Sequence, residues 1–219
     1  MTARLVHAEL LRLRSDHLLP GFVLLTLVLS VAAKLGQQSD PSAGLVQGAV
    51  IAMIYGTVRY TLDARNGLIT RAVLAGRRRP ALLAKAVVTA GAGAAIGVLG
   101  GLCVVVTSGL TLDSAVLSDL FGAMLSAAAA AVIGLCIGVM VRNHFAAPVV
   151  AFAVHLGSVL VLQSWPDVGA VLPLGTTMAL VSDNQPGMLL QPVAVVVLFA
   201  WTALLGACAW LAMSMRDLG

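Results

Sequence analysis

Side chains able to do chemistry are few in this chain, and they gather in one place. The stretch DARNGLITRAVLAGRRRPALLAK, Asp63 to Lys85, carries six basic groups and one acid in a sequence whose charged fraction is 10%. A run of arginines beside an apolar segment fixes membrane topology and attracts anionic lipid at about 1 kcal/mol per residue. It performs no bond-making chemistry by itself. Catalysis needs a nucleophile and a base within reach of each other, and the sequence nominates neither. Cys103, Cys136 and Cys208 fall in apolar runs far apart, without metal-ligand spacing, and His7, His17 and His144 sit beside those runs without clustered acids. No Gly-x-x-x-x-Gly-Lys-Ser/Thr phosphate loop occurs.

The elements that position the basic stretch follow from composition. With 60% apolar residues and a mean hydropathy of +1.01, the 219-residue chain reads as an all-α polytopic membrane protein. A net charge of +4 is then topological and gives no reason to expect nucleic acid. Six apolar runs reach the roughly 20 residues that span a hydrocarbon core about 30 Å thick: Leu18–Leu35, Leu45–Leu62, Ala86–Leu112, Leu120–Val141, Phe145–Ser164 and Leu189–Met213. Placing both termini in the cytoplasm puts every Lys and Arg except Lys34 at a cytoplasmic end, with Arg59 one turn inside and able to snorkel outward. The outer loops then hold Asp40, Asp113, Asp119, Asp167 and Asp183. An N-terminal signal peptide is the competing reading, but Glu9 and Asp16 in the leading segment speak against it, and removing the first span would put the basic loop outside.

Two segments outside the spans have helical periodicity. In residues 1–17, Val6, Leu10 and Leu13 share one face and Glu9, Arg12 and Asp16 another, which predicts an amphipathic interfacial helix with its basic residues toward lipid headgroups. In the 63–85 loop, Leu68, Ile69, Ala72 and Val73 oppose Asp63, Asn66, Thr70 and Arg71, so a short surface helix is expected, ended by Gly76 and followed by a new helix near Pro80.

This arrangement resembles the permease subunits of ABC type-2 exporters. An amphipathic N-terminal helix, six spans, a basic loop after the second span and the ending MRDLG all match, as do Gly67, Arg78, Arg79, Leu82, Leu83, Ala84 and Lys85 within that loop. The chain departs at Asn66, where an acid is usual, at Leu68 in place of Thr, and at Gly76 near the usual Pro. The resemblance implies a single permease domain over 1–219, whose 63–85 loop contains a coupling helix docking on a separate ATPase subunit. Asp63, Arg65, Asn66, Gly67, Leu68, Ile69, Arg71, Arg77, Arg78 and Arg79 are the docking residues so implied. It also implies an outer re-entrant segment over 165–188, punctuated by Trp165, Pro166, Pro173 and Pro186. Partners would be two ATPase copies carrying ATP and magnesium, a second identical or related permease, and membrane lipid. This chain itself would hold no cofactor and no metal.

Within the spans polar groups are sparse, and no Asp or Glu lies in their interior, unlike the carboxylates that ion-coupled carriers place at mid-membrane depth. Gln47, His155, Gln163 and Trp165 are the candidates for a substrate path, although a lone His also serves to bond a neighbouring helix. Gly93, Gly97 and Gly101, and likewise Gly134 and Gly138, recur at the four-residue spacing that lets helices approach closely. Pro148 and Pro192 begin or kink the last two spans. The resemblance implies export of an amphipathic drug, antibiotic, peptide or lipid-like substrate across the bacterial cytoplasmic membrane. The alternative is a scaffold or sensor subunit that uses the same basic loop to recruit a soluble partner.

Overall fold

A computed structural model of the chain describes residues 2–14, 16–35, 41–67, 78–181 and 187–215. Among them run nine helices and no strand: α1 (Thr2–Arg14), α2 (Leu18–Leu35), α3 (Pro41–Arg65), α4 (Arg78–Ser108), α5 (Ser114–Val141), α6 (Ala146–Ser164), α7 (Pro166–Ala170), α8 (Pro173–Val181) and α9 (Gln191–Met215). Six of these, α2 to α6 and α9, are long and apolar enough to cross a membrane, as the apolar runs require.

Helix ends depart from the apolar runs where backbone chemistry overrides hydropathy. The third span was expected at Ala86–Leu112, but α4 starts eight residues earlier and stops at Ser108. Its polar first turn holds Arg79 and Pro80, and a proline in the first turn gives up no helical hydrogen bond. At the other end Gly109 has φ +67, donates to the Val106 carbonyl, and is followed by a Leu110 to Val105 bond. That pair of bonds is a Schellman stop, which ends a helix whatever the hydropathy of the residues beyond. The fourth span starts earlier than expected, at Ser114, because the Asp113 carboxylate caps it by accepting from the Val116 amide at 2.9 Å. Asp119, expected in an outer loop, therefore lies inside α5. Pro148 and Pro192 both fall in first turns and begin their helices without kinking them.

At the centre stand α3, α4 and α5, in backbone-to-backbone contact. A Cβ on Gly134 of α5 would lie 1.9 Å from the Met53 carbonyl oxygen, and one on Gly56 of α3 would lie 2.0 Å from that of Ala131. Gly93 and Gly97 of α4 meet Ala127 and Ala123 of α5 in the same way, so the glycine spacing in the sequence does place helices in close contact. Ile51, Ala52, Tyr55, Ala92, Ile96, Ala127 and Ala131 form the resulting core. Around it, α2, α6 and α9 direct large apolar side chains such as Leu24, Val149, Phe152, Val196 and Phe199 outward. An apolar outer surface on spanning-length helices marks a membrane-embedded protein.

Between α6 and α9 the chain makes two short helices. α7 starts on Pro166 and α8 on Pro173, and α8 is buried along most of its length against α5 and α9. Gly122 of α5 admits it: a Cβ there would stand 1.9 Å from the Leu180 carbonyl oxygen. The Trp201 indole N–H donates to the Val171 carbonyl at 2.8 Å and ties the α7–α8 turn to α9. The first turn of α8 reaches deep into the bundle. Pro173, Leu174 and Thr177 line a cavity of about 40 Å³ together with Ile133 and with Met53 and His155, which stand at the middle of their own long helices.

Candidate functional site

The ionisable groups that the bundle gathers lie where the end of α3, the early turns of α4 and the N-terminal α1 meet. On α3, Tyr55, Arg59 and Asp63 recur at four-residue spacing and so share one face. Arg59 donates from Nη1 to the Tyr55 hydroxyl at 2.9 Å and from Nη2 to Glu9 Oε2 of α1 at 3.5 Å. Lys85 of α4 donates to the same Glu9 oxygen at 3.3 Å and also pairs with Asp63 Oδ2. Glu9 Oε1 accepts from Arg12, one turn along α1, at 3.2 Å. The Tyr55 ring in turn meets Phe22 of α2 edge to face, with centroids 5.5 Å apart.

Burial makes these pairs matter. The side chains of Arg59 and Lys85 are 4% and 8% exposed, and Glu9 is 13% exposed, so water screens them little. A charge at this depth requires a partner, and the cluster supplies two carboxylates for two buried cations. Glu9 is the shared member. It holds one cation from α3 and one from α4, so a single carboxylate on α1 joins three helices.

Two sequence expectations are corrected by this geometry. Arg59 does not snorkel to the surface: its guanidinium is bound within the bundle, because Tyr55 and Glu9 satisfy it there. The polar face of α1 does not simply turn to headgroups either. Arg12 and Arg14 are exposed, but Glu9 faces the interior, while Leu10 and Leu11 lie outward at 48% and 55% exposure. The two buried cations attract the acid more strongly than water does, and that sets the rotation of α1.

Beside the cluster opens a cavity of about 470 Å³, walled by Glu9 and Arg12 of α1, Asp16 of the following turn, Arg59 and Asp63 of α3, and Asn66 beyond it. His17, expected to have no acids near it, also lines this cavity. Among the described residues no three His, Cys, Asp or Glu side chains are grouped so as to hold a metal ion.

The remaining sequence candidates are distributed as follows. Asp63 and Arg65 belong to the last turn of α3, and Asn66 and Gly67 to the turn after it, where Gly67 has φ +70. Arg78 and Arg79 begin α4, and the Arg79 guanidinium lies 4.7 Å over the Trp210 ring of α9. Leu68, Ile69, Arg71 and Arg77, with the expected surface helix and its Gly76 stop, lie outside the described residues, as do Pro186 and the MRDLG ending from Arg216 onward. Gln47, His155, Gln163 and Trp165 do not converge. Half-buried His155 lines the small mid-bundle cavity, whereas Gln163 and Trp165 are exposed at the far end of α6, about 12–15 Å along its axis. Gln47 is half-buried on α3 and does not line that cavity.

Sequence reasoning treated Lys85 and Glu9 as surface charges, and the structure buries both in one cluster. The i, i+4 run Tyr55–Arg59–Asp63 was the available signal for it. No family model, curated protein or solved structure matches the chain.

Proposed function

We propose that this chain is the transmembrane permease subunit of an ABC exporter, with both termini on the cytoplasmic side of a bacterial cytoplasmic membrane. The observation that carries the reading is the shared Glu9 carboxylate. It ties α3 and α4, the two helices flanking the basic 68–77 stretch, to each other and to α1. A push delivered to that stretch then moves α1, α3 and α4 together, and the close α3–α5 and α4–α5 contacts carry the displacement into the centre of the bundle.

In this reading the 63–85 region contains the coupling helix, and Leu68, Ile69 and the flanking arginines dock on a separate ATPase, two copies of which bind ATP and magnesium. The α7–α8 pair is the outer re-entrant segment. Its buried first turn beside His155 suits a plug over the path, because a helix end at membrane depth is tolerated only where protein or water satisfies its free backbone groups. A second permease, identical or related, completes the path, and an amphipathic substrate moves outward between the two halves.

The test is co-purification from the native membrane. Wild-type protein is expected to retain an ATPase subunit at one-to-one stoichiometry, and the double substitution Leu68→Asp, Ile69→Asp is expected to lose it. Retention in the double variant would overturn the docking assignment. Capture of a partner that hydrolyses no ATP would turn the reading into that of a recruiting scaffold.

A further inference from the structure

The 470 Å³ cavity has a charge pattern that the ion-paired cluster does not use up, and its size lies within the range of about 300–1,000 Å³ typical of small-ligand sites. Its lining holds three acids, Glu9, Asp16 and Asp63, and two arginines, Arg12 and Arg59, and Lys85, which does not line it, balances the third acid through its pairs with Glu9 and Asp63. With formal charges balanced, neither a bare anion nor a bare cation gains a net field there. A ligand carrying one charge of each sign gains from both.

Unused bonding capacity follows the same division. Arg12 and Arg59 approach the Glu9 carboxylate from its two oxygens, and among the described residues Arg59 donates to Tyr55 and, at a long 3.5 Å, to Glu9. A guanidinium has five donors, so Arg59 retains some for a phosphate oxygen. Asp16 uses Oδ1 to accept from the Leu18 amide, and Asp63 uses Oδ2 for Lys85, which among the described residues leaves each with an oxygen for an ammonium N–H. Asp63 follows Arg59 by one turn, about 6 Å along α3. Both side chains line the cavity from one helix, so the phosphate and the amine of one headgroup meet neighbouring positions of the same wall.

Position supplies the rest. Leu18, where the first apolar span begins, and Leu62 also line the cavity, so its polar wall adjoins the level at which the bundle enters hydrocarbon. We propose that this cavity binds the headgroup of a zwitterionic aminophospholipid, with the phosphate at Arg12 and Arg59 and the primary ammonium at Asp16 and Asp63. A choline headgroup has no N–H to donate to the carboxylates, and a glycerol headgroup has no cation, so phosphatidylethanolamine is selected over both. This inference does not depend on the ATPase partner.

The test uses the full chain in mild detergent, equilibrated with equal amounts of phosphatidylethanolamine, phosphatidylglycerol and phosphatidylcholine of matched acyl chains, and read by native mass spectrometry. Wild-type protein should retain phosphatidylethanolamine at least fivefold over either competitor. Asp16→Asn, which keeps a capping oxygen, and Arg12→Gln, at an exposed position, should each bring the ratio within twofold while eluting as wild type in size exclusion. Equal retention, a preference for phosphatidylglycerol, or an ethanolamine preference that survives both substitutions would overturn the site. A parallel arm adds free phosphoethanolamine to lipid-stripped protein. A raised melting temperature there, with no lipid retained in the first arm, would keep the headgroup chemistry but overturn a membrane lipid as its source.

Discussion

Replacing Glu9 with Gln keeps the shape of the side chain and removes the charge that Arg59 and Lys85 share. Lys85 retains Asp63, but Arg59 is left with the neutral Tyr55 hydroxyl while staying 4% exposed. Breaking a buried ion pair from one side costs about 3–5 kcal/mol, because the remaining charge is left uncompensated. Arg59 borders the adjoining polar cavity, which places Glu9→Gln near the lower bound, about 3 kcal/mol. At about 2–4 °C per kcal/mol for a chain of this length, the melting temperature in detergent should fall by roughly 6–12 °C. Arg59→Met removes the orphaned cation, so the Glu9→Gln, Arg59→Met double variant should recover much of the loss, with a coupling above about 1 kcal/mol in a thermodynamic cycle. Arg12→Gln, which breaks the pair at the exposed end of the cluster, should cost under about 1 kcal/mol. A loss for Glu9→Gln as small as that of Arg12→Gln, or strict additivity with Arg59→Met, would refute the shared-carboxylate argument.

Other consequences follow from contacts elsewhere in the bundle. Gly134→Ala and Gly56→Ala each drive a Cβ into a neighbouring carbonyl, at 1.9 Å and 2.0 Å, and should destabilise by about 1–3 kcal/mol or more. Gly157→Ala, which meets nothing within 4 Å, should be neutral or stabilising by up to about 1 kcal/mol, and unfolding in a denaturing detergent titration ranks the three. Trp201→Phe removes the indole bond to the Val171 carbonyl and should cost about 1 kcal/mol, with faster proteolysis in the α7–α8 turn as the local readout. Unchanged cleavage there would mean that packing alone holds the turn to α9.

The six spanning helices were readable because bilayer thickness imposes one length on every crossing, and a run such as Leu18–Leu35 needs only local composition to be recognised. The glycine spacing in α4 and α5 was readable for a similar reason, since residues four apart lie on one helical face whatever surrounds them. The helix ends at Ser108 and Ser114 departed from hydropathy, yet Gly109 and Asp113 stood in the sequence as stop and start signals. In the short helices after Trp165, Pro166 and Pro173 marked the two starts, but only packing against Gly122 placed α8 inside the bundle.

The charge cluster divides between the two sources. Periodicity put Tyr55, Arg59 and Asp63 on one face of α3, and Glu9, Arg12 and Asp16 on one side of the N-terminal segment. Which of those faces turns inward depended on Lys85, which lies 76 residues beyond Glu9 and pairs with it only once α1 has packed on α4. Local spacing is fixed by the geometry of the helix, and sequence carries it directly. The inward rotation of Glu9 is set by the energy of leaving two buried cations unpaired, and that energy exists only after the helices have come together.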